Sequence, residues 1–248
     1  MDFEYRDVRG ICMKGSSRSG LLQPFLFRKK KTLAKRKTTF ALCKKLAKNG
    51  ERNPKELMVK KMRPKLIVDY SGVYERQIHK WRGEEYTDRF KEMMAYTKKL
   101  QKKWDTVGDK AFDTMSRVSG LAWQKPLINC WVARRSNPFS MPLTIPPRKD
   151  FDKLLEVIIH ELVHNLIVQN SDRIKKGYSK RYADLSKLTR IHILVHAILH
   201  ETLLELYGEK QTKIFIQDYD RLSADYRKAW DVVEKEGAKK IIKECIKK

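Results

Sequence analysis

The stretch IIHELVHNLI, residues 158–167, places two histidines and a glutamate inside an otherwise apolar run. Burying an imidazole or a carboxylate without a partner costs several kcal/mol, so His160, Glu161 and His164 need something that satisfies them. A metal ion would do so. The alternative is a set of hydrogen-bonded histidines in an ordinary core.

This stretch lies within a predicted helix of about residues 151–169, for which Asp150 is well placed as the N-cap. Residues four apart stand about 6 Å apart on one side of a helix, so His160 and His164 can present two ring nitrogens to one ion. Glu161 lies about 100° round the helix from His160, where its carboxylate can face a water molecule on the metal instead of the metal itself. The pattern therefore predicts a zinc site with Glu161 as the general base.

A second apolar helix is predicted for about residues 185–207, ended by Gly208, and it carries three histidines spaced by four. His192, His196 and His200 form a stripe about 12 Å long, which is too long for one zinc ion to contact all three. We expect the central His196 to be the third metal ligand. His192, one turn away, would then have a catalytic role and donate a hydrogen bond to the oxyanion of a tetrahedral intermediate.

Two glutamates on the same helix are competing ligands. Glu201 and Glu205 in HETLLE are four residues apart, so one carboxylate could bind the metal while the other orients a ligand imidazole. Glu201 stands about 140° from His196 round the helix, so these two do not readily face one ion. His192 and His200 also remain alternatives for the third ligand.

The rest of the chain predicts an α+β fold, mainly helical with a small sheet, over residues 66–248. KLIVDY is the first strand, and apolar residues at helical spacing from about 86 to 119, interrupted at Gly108, predict one or two amphipathic helices. LINCWVA and SMPLTI are two short strands in a hairpin-like arrangement, the second at a sheet edge because Pro142 cannot donate to a ladder. Further helices are predicted for about residues 220–246.

The composition favours a cytoplasmic protein without a membrane segment. Its apolar runs stay short of the roughly 18–20 residues that cross a bilayer, and its acidic N-terminal residues argue against a secretory signal. The four cysteines lie far apart with neither a CxxC pair nor a framework spacing, which predicts free thiols. Cys130 is expected to be a buried strand residue, and His79 a surface residue.

Positive charge is concentrated at the N-terminus. The chain has 55 Lys and Arg against 30 Asp and Glu, a formal net charge of +25, and residues 1–65 hold 20 of the basic and 5 of the acidic side chains, a net +15. Glycine, serine and proline breaks predict a partly irregular arm here, with one basic helix near residues 32–48. Residues 28–65 would attract DNA or RNA backbones through counterion release, or they form a solvated tail that only confers solubility.

HELVH, residues 160–164, resembles the motif of the zincin metallopeptidases. The order of predicted elements across about residues 86–208 is also similar: a helix, strands with an edge strand, the motif helix and a ligand helix. The resemblance implies a zincin-like fold, a zinc cofactor and a peptide or protein substrate. It also implies that an edge strand, in SMPLTI or LINCWVA, pairs with the substrate across the metal.

The branch of the zincins stays open. Ile167 and Asn170 stand where the metzincin pattern HExxHxxGxxH has glycine and a third histidine, so that branch does not fit. ETLLE is similar to the gluzincin ExxxD, with Glu205 in place of aspartate. His196 and the basic arm resemble SprT-like proteases, which act on proteins bound to DNA, although Asn165 replaces their usual small residue after the motif and no histidine here precedes a glycine.

The sequence thus predicts a zinc-dependent peptidase, recruited to nucleic-acid-bound proteins if the arm binds DNA or RNA. The alternative is a nucleic-acid-binding protein whose zincin-like core is catalytically inactive and only structural. No feature of the sequence determines the oligomeric state.

Overall fold

The computed structural model describes residues 62–175, 177–219 and 223–247. Within them the chain forms an α+β fold, mainly helical with a four-stranded mixed sheet, as the sequence predicts. The strands are β1 (Lys65–Asp69), β2 (Leu127–Val132), β3 (Phe139–Ser140) and β4 (Leu143–Ile145). The helices are α1 (Gly72–Arg82), α2 (Phe90–Asp105), α3 (Gly108–Ser119), α4 (Phe151–Gln169), α5 (Tyr178–Arg181), α6 (Lys187–Tyr219), α7 (Ala224–Glu236) and α8 (Ala238–Cys245). None of these helices is both long and apolar enough to cross a membrane.

The predicted N-terminal arm, residues 1–65 with its basic helix, lies outside the described residues except for its last four. Of those four, Lys65 belongs to β1. Arg63 donates hydrogen bonds to the carboxylates of Asp109 and Asp113 on α3. The chain is therefore anchored to the described domain from Arg63 onward.

The sheet has the order β1-β2-β4-β3, with parallel pairing except between β4 and β3. The strands predicted in LINCWVA and SMPLTI exist as β2 and β4, but their hairpin-like pairing is wrong. They run parallel, with Trp131 beside Thr144, and the antiparallel hairpin is formed by β3 and β4. The residues between two strands can indicate a turn, but they do not show whether those strands pair with each other as a hairpin or run parallel through a crossover connection.

Pro142 lies in the turn between β3 and β4, which corrects its predicted position within an edge strand. The edge strand is β3, so SMPLTI contributes Ser140 to the edge, while β2, from LINCWVA, lies inside the sheet. In the turn, proline has no ladder hydrogen bond to donate. The missing N–H of Pro142 is therefore accommodated in a turn between two strands and not within an edge strand.

The opposite edge of the sheet is closed by α2. The Gln101 side chain accepts a hydrogen bond from the Val68 N–H at 2.7 Å and donates one to the Leu66 carbonyl at 3.3 Å. An exposed strand edge is a template for pairing with another chain, and a side-chain amide that occupies its backbone groups removes that template. Because β1 is protected in this way, β3 is the candidate edge for an added strand.

Helix α4 carries HELVH through the centre of the domain, with the bounds that the sequence predicts. Asp150 caps it by accepting hydrogen bonds from the N–H groups of Asp152 and Lys153. Because α4 packs against α2, α6, β3 and β4, eleven of its 19 residues are buried. A helix enclosed on several sides needs apolar residues on most of them, and it holds the motif on a rigid element.

Helix α6 packs against α4 and brings the second set of histidines to it. It begins at Lys187, where the Ser186 hydroxyl accepts a hydrogen bond from the Thr189 N–H at 3.0 Å. Gly208, with φ 78°, breaks the helix where the sequence predicts its end. Only glycine adopts this conformation without strain. The chain then resumes a helical course as far as Tyr219, so the segment is longer than predicted.

A buried ion pair joins α1 to the segment that follows β2. The Glu75 carboxylate is fully buried and accepts hydrogen bonds from the backbone and guanidinium of Arg134 at 2.6–3.0 Å, and from the Tyr70 hydroxyl at 2.7 Å. Burial alone would raise the pKa of Glu75, but these hydrogen bonds outweigh it and hold the pKa below its usual value. The carboxylate is thus charged and fully partnered inside the fold.

His79 lies on the same helix, and its prediction as a surface residue is wrong because the side chain is buried. Its Nδ1 donates a hydrogen bond to the Glu85 carbonyl at 2.9 Å, and its ring meets that of Tyr86 edge to face. The sequence did not predict α1 at all. GVYERQIHKWR is mostly polar, and its short buried face of Glu75, Ile78 and His79 is not an apolar one.

Candidate metal centre

Three histidine side chains from α4 and α6 converge in the interior. His160, His164 and His192 each offer one ring nitrogen, and these three atoms lie within 4.8 Å of one another. The Nε2 atoms of His160 and His164 are 3.2 Å apart. The ring centroid of His192 is 5.6 Å from that of His160 and 5.0 Å from that of His164. His160 and His192 are buried, and His164 is the most exposed of the three.

A backbone hydrogen bond sets the tautomer of His192. Its Nδ1 lies 2.8 Å from the carbonyl oxygen of Leu188, one turn earlier on α6. A carbonyl can only accept, so Nδ1 carries the proton and Nε2 keeps its lone pair. Histidines that bind metals usually donate their other ring nitrogen to such a group, which holds the ring in the ligating orientation.

The surroundings keep these histidines neutral. Burial lowers the pKa of His160 well below its usual range, and the neighbouring imidazoles add to the effect. Burial, together with His192, lowers the pKa of His164 to about 3. Burial also lowers the pKa of His192. Neutral imidazole is the form that binds a metal, so protons do not compete for these nitrogens near neutral pH.

Glu161 follows His160 on α4 and is 7% exposed. Burial raises the pKa of its carboxyl to about 8. Cys130 of β2 is a buried free thiol, as predicted, and its pKa is raised by burial and by the charge of nearby Glu161. A carboxyl whose pKa is near neutrality suits a group that both takes and returns a proton.

His196 lies one turn after His192 on α6 and faces α7. It is fully buried, and its ring stacks on that of Trp230 with centroids 4.3 Å apart. Its centroid is 5.7 Å from that of His160. The geometry therefore brings His192, and not His196, into the cluster of three nitrogens. The sequence placed His196 in this cluster instead, because the spacing reveals a histidine stripe but not which turn of α6 meets α4.

The other candidate ligands from the sequence have partners elsewhere. The Nδ1 of His200 lies 3.2 Å from a carboxylate oxygen of Glu201. Glu205 accepts a hydrogen bond from the Thr114 hydroxyl at 3.1 Å and pairs with Arg117, both on α3. Within the described ranges, none of these three candidates joins a group that could hold a metal ion.

Tyr226 of α7 lies against the histidine cluster, and the sequence did not single it out. Its ring centroid lies 4.3 Å from that of His192 and 6.2 Å from that of His160. The neighbouring Asp225 accepts a hydrogen bond from the Thr189 hydroxyl at 2.7 Å, which fixes the first turn of α7 to the first turn of α6. In the sequence Tyr226 is one apolar position of an amphipathic helix, so no signal marked it.

Asn165, the residue after the motif, links α4 to the sheet edge. Its amide donates hydrogen bonds to the Ser140 carbonyl of β3 at 2.6 Å and to the Glu161 carbonyl at 3.2 Å. The helix that bears the histidines is therefore joined directly to the edge strand. This contact gives a structural reason for asparagine where the resemblance to SprT-like proteases leads one to expect a small residue.

The cluster combines three neutral imidazole nitrogens with a buried carboxyl on the same helix. Imidazole suits zinc, copper, iron or nickel, whereas magnesium and calcium prefer oxygen ligands. Comparison of the chain with protein-family models, with curated proteins and with solved structures found no match.

Proposed function

We propose that the protein is a zinc-dependent metallopeptidase of zincin-like fold, with His160, His164 and His192 as its metal ligands. The convergence of their three ring nitrogens within 4.8 Å, on the helix pair that carries Glu161, supports this proposal most directly. Two nitrogens bound to one tetrahedral zinc ion at 2.0–2.1 Å lie about 3.3 Å apart. The separation of 3.2 Å between the Nε2 atoms of His160 and His164 fits that geometry. Three protein ligands leave a fourth position for water or substrate, which is the arrangement of catalytic zinc sites.

In this proposal the side chains divide the chemistry of peptide hydrolysis. A bound zinc ion supplies the Lewis acid that polarises the substrate carbonyl and makes water more acidic. Glu161 takes the proton from the attacking water and delivers it to the departing amine, first as base and then as acid. Because His192 is a metal ligand in this proposal, it does not also donate a hydrogen bond to the oxyanion. The phenol of Tyr226, whose ring lies against the cluster, takes that role.

The substrate in this proposal is an extended segment of a peptide or protein. An extended peptide can add to an exposed sheet edge through main-chain hydrogen bonds. Of the two edges, β1 has the Val68 N–H and the Leu66 carbonyl occupied by Gln101, whereas the side-chain contact at β3 occupies a single backbone group, the Ser140 carbonyl, and joins it to the motif helix. A peptide paired with β3 would therefore pass close to the histidine cluster.

The zinc content of the protein and the dependence of its activity on zinc provide the first test. Purified full-length protein should contain stoichiometric zinc by elemental analysis, and it should hydrolyse an unfolded protein such as casein. A chelator should stop the hydrolysis, because the histidines alone supply no Lewis acid, and added zinc should restore it. A protein purified without stoichiometric metal, or casein hydrolysis that persists after complete removal of the metal, would refute the proposal.

We further propose that the basic arm recruits the peptidase to proteins bound to nucleic acid. The net charge of +15 in residues 1–65 supports this proposal, because a basic segment is attracted to DNA or RNA in a salt-dependent way. The widely spaced cysteines, of which Cys130 and Cys245 are free and buried, favour the cytoplasm as the site of action. The alternative is binding of nucleic acid by a protein whose core has no catalytic function.

Neutralising the arm tests this recruitment. Replacing the seven basic residues of RKKKTLAKRK, residues 28–37, by glutamine removes up to seven phosphate contacts. The slope of log K against log salt for duplex DNA should then fall by up to about 6, because each contact contributes about 0.9. DNA should stimulate cleavage of a DNA-bound substrate by the wild type and not by this variant, while casein hydrolysis stays equal. Nucleic-acid binding without any hydrolysis would favour the catalytically inactive alternative.

A further inference from the structure

Lysines cover the outer side of α2. Four of them are exposed and form what we call the lysine face: Lys91, Lys98, Lys99 and Lys102. Three of these, Lys91, Lys98 and Lys102, fall within an arc of about 40° and span about 16 Å of the helix axis. The orientation of the face is fixed, because the opposite side of α2 is buried in the core through Met93, Thr97, Leu100 and Trp104.

No described carboxylate neutralises the lysine face. The acidic residues of α2 have other partners, since Glu92 pairs with Arg89 and Asp105 accepts a hydrogen bond from an amide on the same helix. Lys103, on the flank of the face, pairs with Asp152. Like charges held on neighbouring turns of a helix repel one another, so a bound polyanion would relieve that repulsion.

Helix α2, which bears the lysine face, lies beside the strand at which the described residues begin. Helix α2 packs on β1, whose first residue is Lys65. Arg63 is held by Asp109 and Asp113 on α3, which begins shortly after α2 ends. The first described residues, 63–65, are therefore attached to the domain beside α2 and α3.

We infer that the lysine face binds the phosphate backbone of DNA or RNA. This inference rests on the proposed association with nucleic acid and adds a surface of the folded domain to it. Lysine binds phosphate as a flexible point charge, so a row of lysines can follow a phosphate backbone without a fixed bidentate geometry. An anionic membrane is matched by cations beside large apolar side chains that insert, and the position between Lys91 and Lys98 that shares their side of α2 holds only Ala95.

The test compares two full-length variants of equal net charge. In the first, all four residues of the lysine face are replaced by glutamine. In the second, the same replacement is made at four exposed lysines on other helices: Lys187, Lys210, Lys228 and Lys240. Fluorescence anisotropy measures binding of each to a short DNA duplex and to a single-stranded RNA of equal length over a range of salt concentrations.

The control variant should keep the salt slope of the wild type. The lysine-face variant should lose about 3 from that slope on duplex DNA, at up to about 0.9 per lysine, with unchanged zinc content and unfolding temperature. If the wild type binds nucleic acid and the two variants have equal salt slopes, the inference about the lysine face is refuted, but the proposed recruitment is not. The face is also refuted if its variant loses binding to anionic vesicles but keeps binding to nucleic acid. A wild type that binds neither DNA nor RNA overturns the proposed recruitment as well.

Discussion

Replacing His192 by alanine should strip zinc from the protein, whereas replacing His196 should leave zinc bound. His192 supplies one of the three nitrogens that lie within 4.8 Å, while His196 stacks on Trp230 behind them. Losing a group that only orients a ligand costs about 10–100-fold in metal affinity, so losing a ligand should cost well over 100-fold. His196→Ala should instead lower the free energy of unfolding by roughly 2–5 kcal/mol, as other large-to-small core changes do. Competition with a chromophoric chelator and denaturant unfolding measure the two effects.

His196→Phe is the matched control, because it keeps an aromatic ring against Trp230 and removes both ring nitrogens. It should recover much of the stability that alanine loses and bind zinc as the wild type does. If His196→Phe loses zinc while His192→Ala retains it, the ligand expected from the sequence is correct and the assignment made from the geometry is wrong. Unfolding temperatures separate either outcome from general loss of the fold.

The motif helix could be predicted to within a residue because its signals are local. Asp150 caps α4 through its own first turn, and the apolar run that follows is buried on several sides. The approach of His160 and His164 needs only the geometry of one helix, and their Nε2 atoms are indeed 3.2 Å apart. The bounds of this helix and the approach of its two histidines could therefore be inferred from local spacing.

The third member of the cluster could not be inferred, because it depends on two helices that are far apart in the sequence. His192 and His196 differ by one turn of α6, or about 6 Å along its axis. Which turn meets α4 is decided by packing, and α7 contributes to it by placing Trp230 against His196 and Tyr226 against His192. No spacing within α6 contains that information.

The strand partners and the buried ion pair were missed for the same reason. A parallel pair such as β2 and β4 is defined by the crossover between them, and β3 takes the antiparallel place beside β4 that the hairpin prediction gave to β2. Glu75 and Arg134 are 59 positions apart, so neither residue looks unusual in its own segment. Contacts over such distances along the chain are set by the fold as a whole and not by local pattern.

Replacing Glu161 by glutamine should leave zinc bound and reduce kcat for casein hydrolysis by at least about 100-fold. A positioned general base typically contributes 10²–10⁴-fold, and the amide has the shape of the carboxyl but cannot take a proton. Glu156→Gln is a matched control, since Glu156 is a second buried glutamate of the same helix outside the histidine cluster. It should keep both zinc and turnover. Equal activity of Glu161→Gln and the wild type would remove Glu161 from the mechanism.

Stability of the metal-free protein distinguishes this chemical role from a structural one. Burial raises the pKa of Glu161 from 4.5 to about 8, so the folded state holds this proton more tightly than the unfolded state does. Ionisation of Glu161 should therefore cost the metal-free wild type stability as the pH rises from about 4.5 towards 8. The buried histidines, whose pKa values are lowered, change stability in the opposite direction in both proteins, so the stability of Glu161→Gln relative to the wild type should rise over this range. Urea unfolding of chelated protein at several pH values measures the difference. Identical pH profiles would mean that the carboxyl is not desolvated, and a less stable glutamine variant below pH 6 would mean that Glu161 acts mainly by holding the fold together.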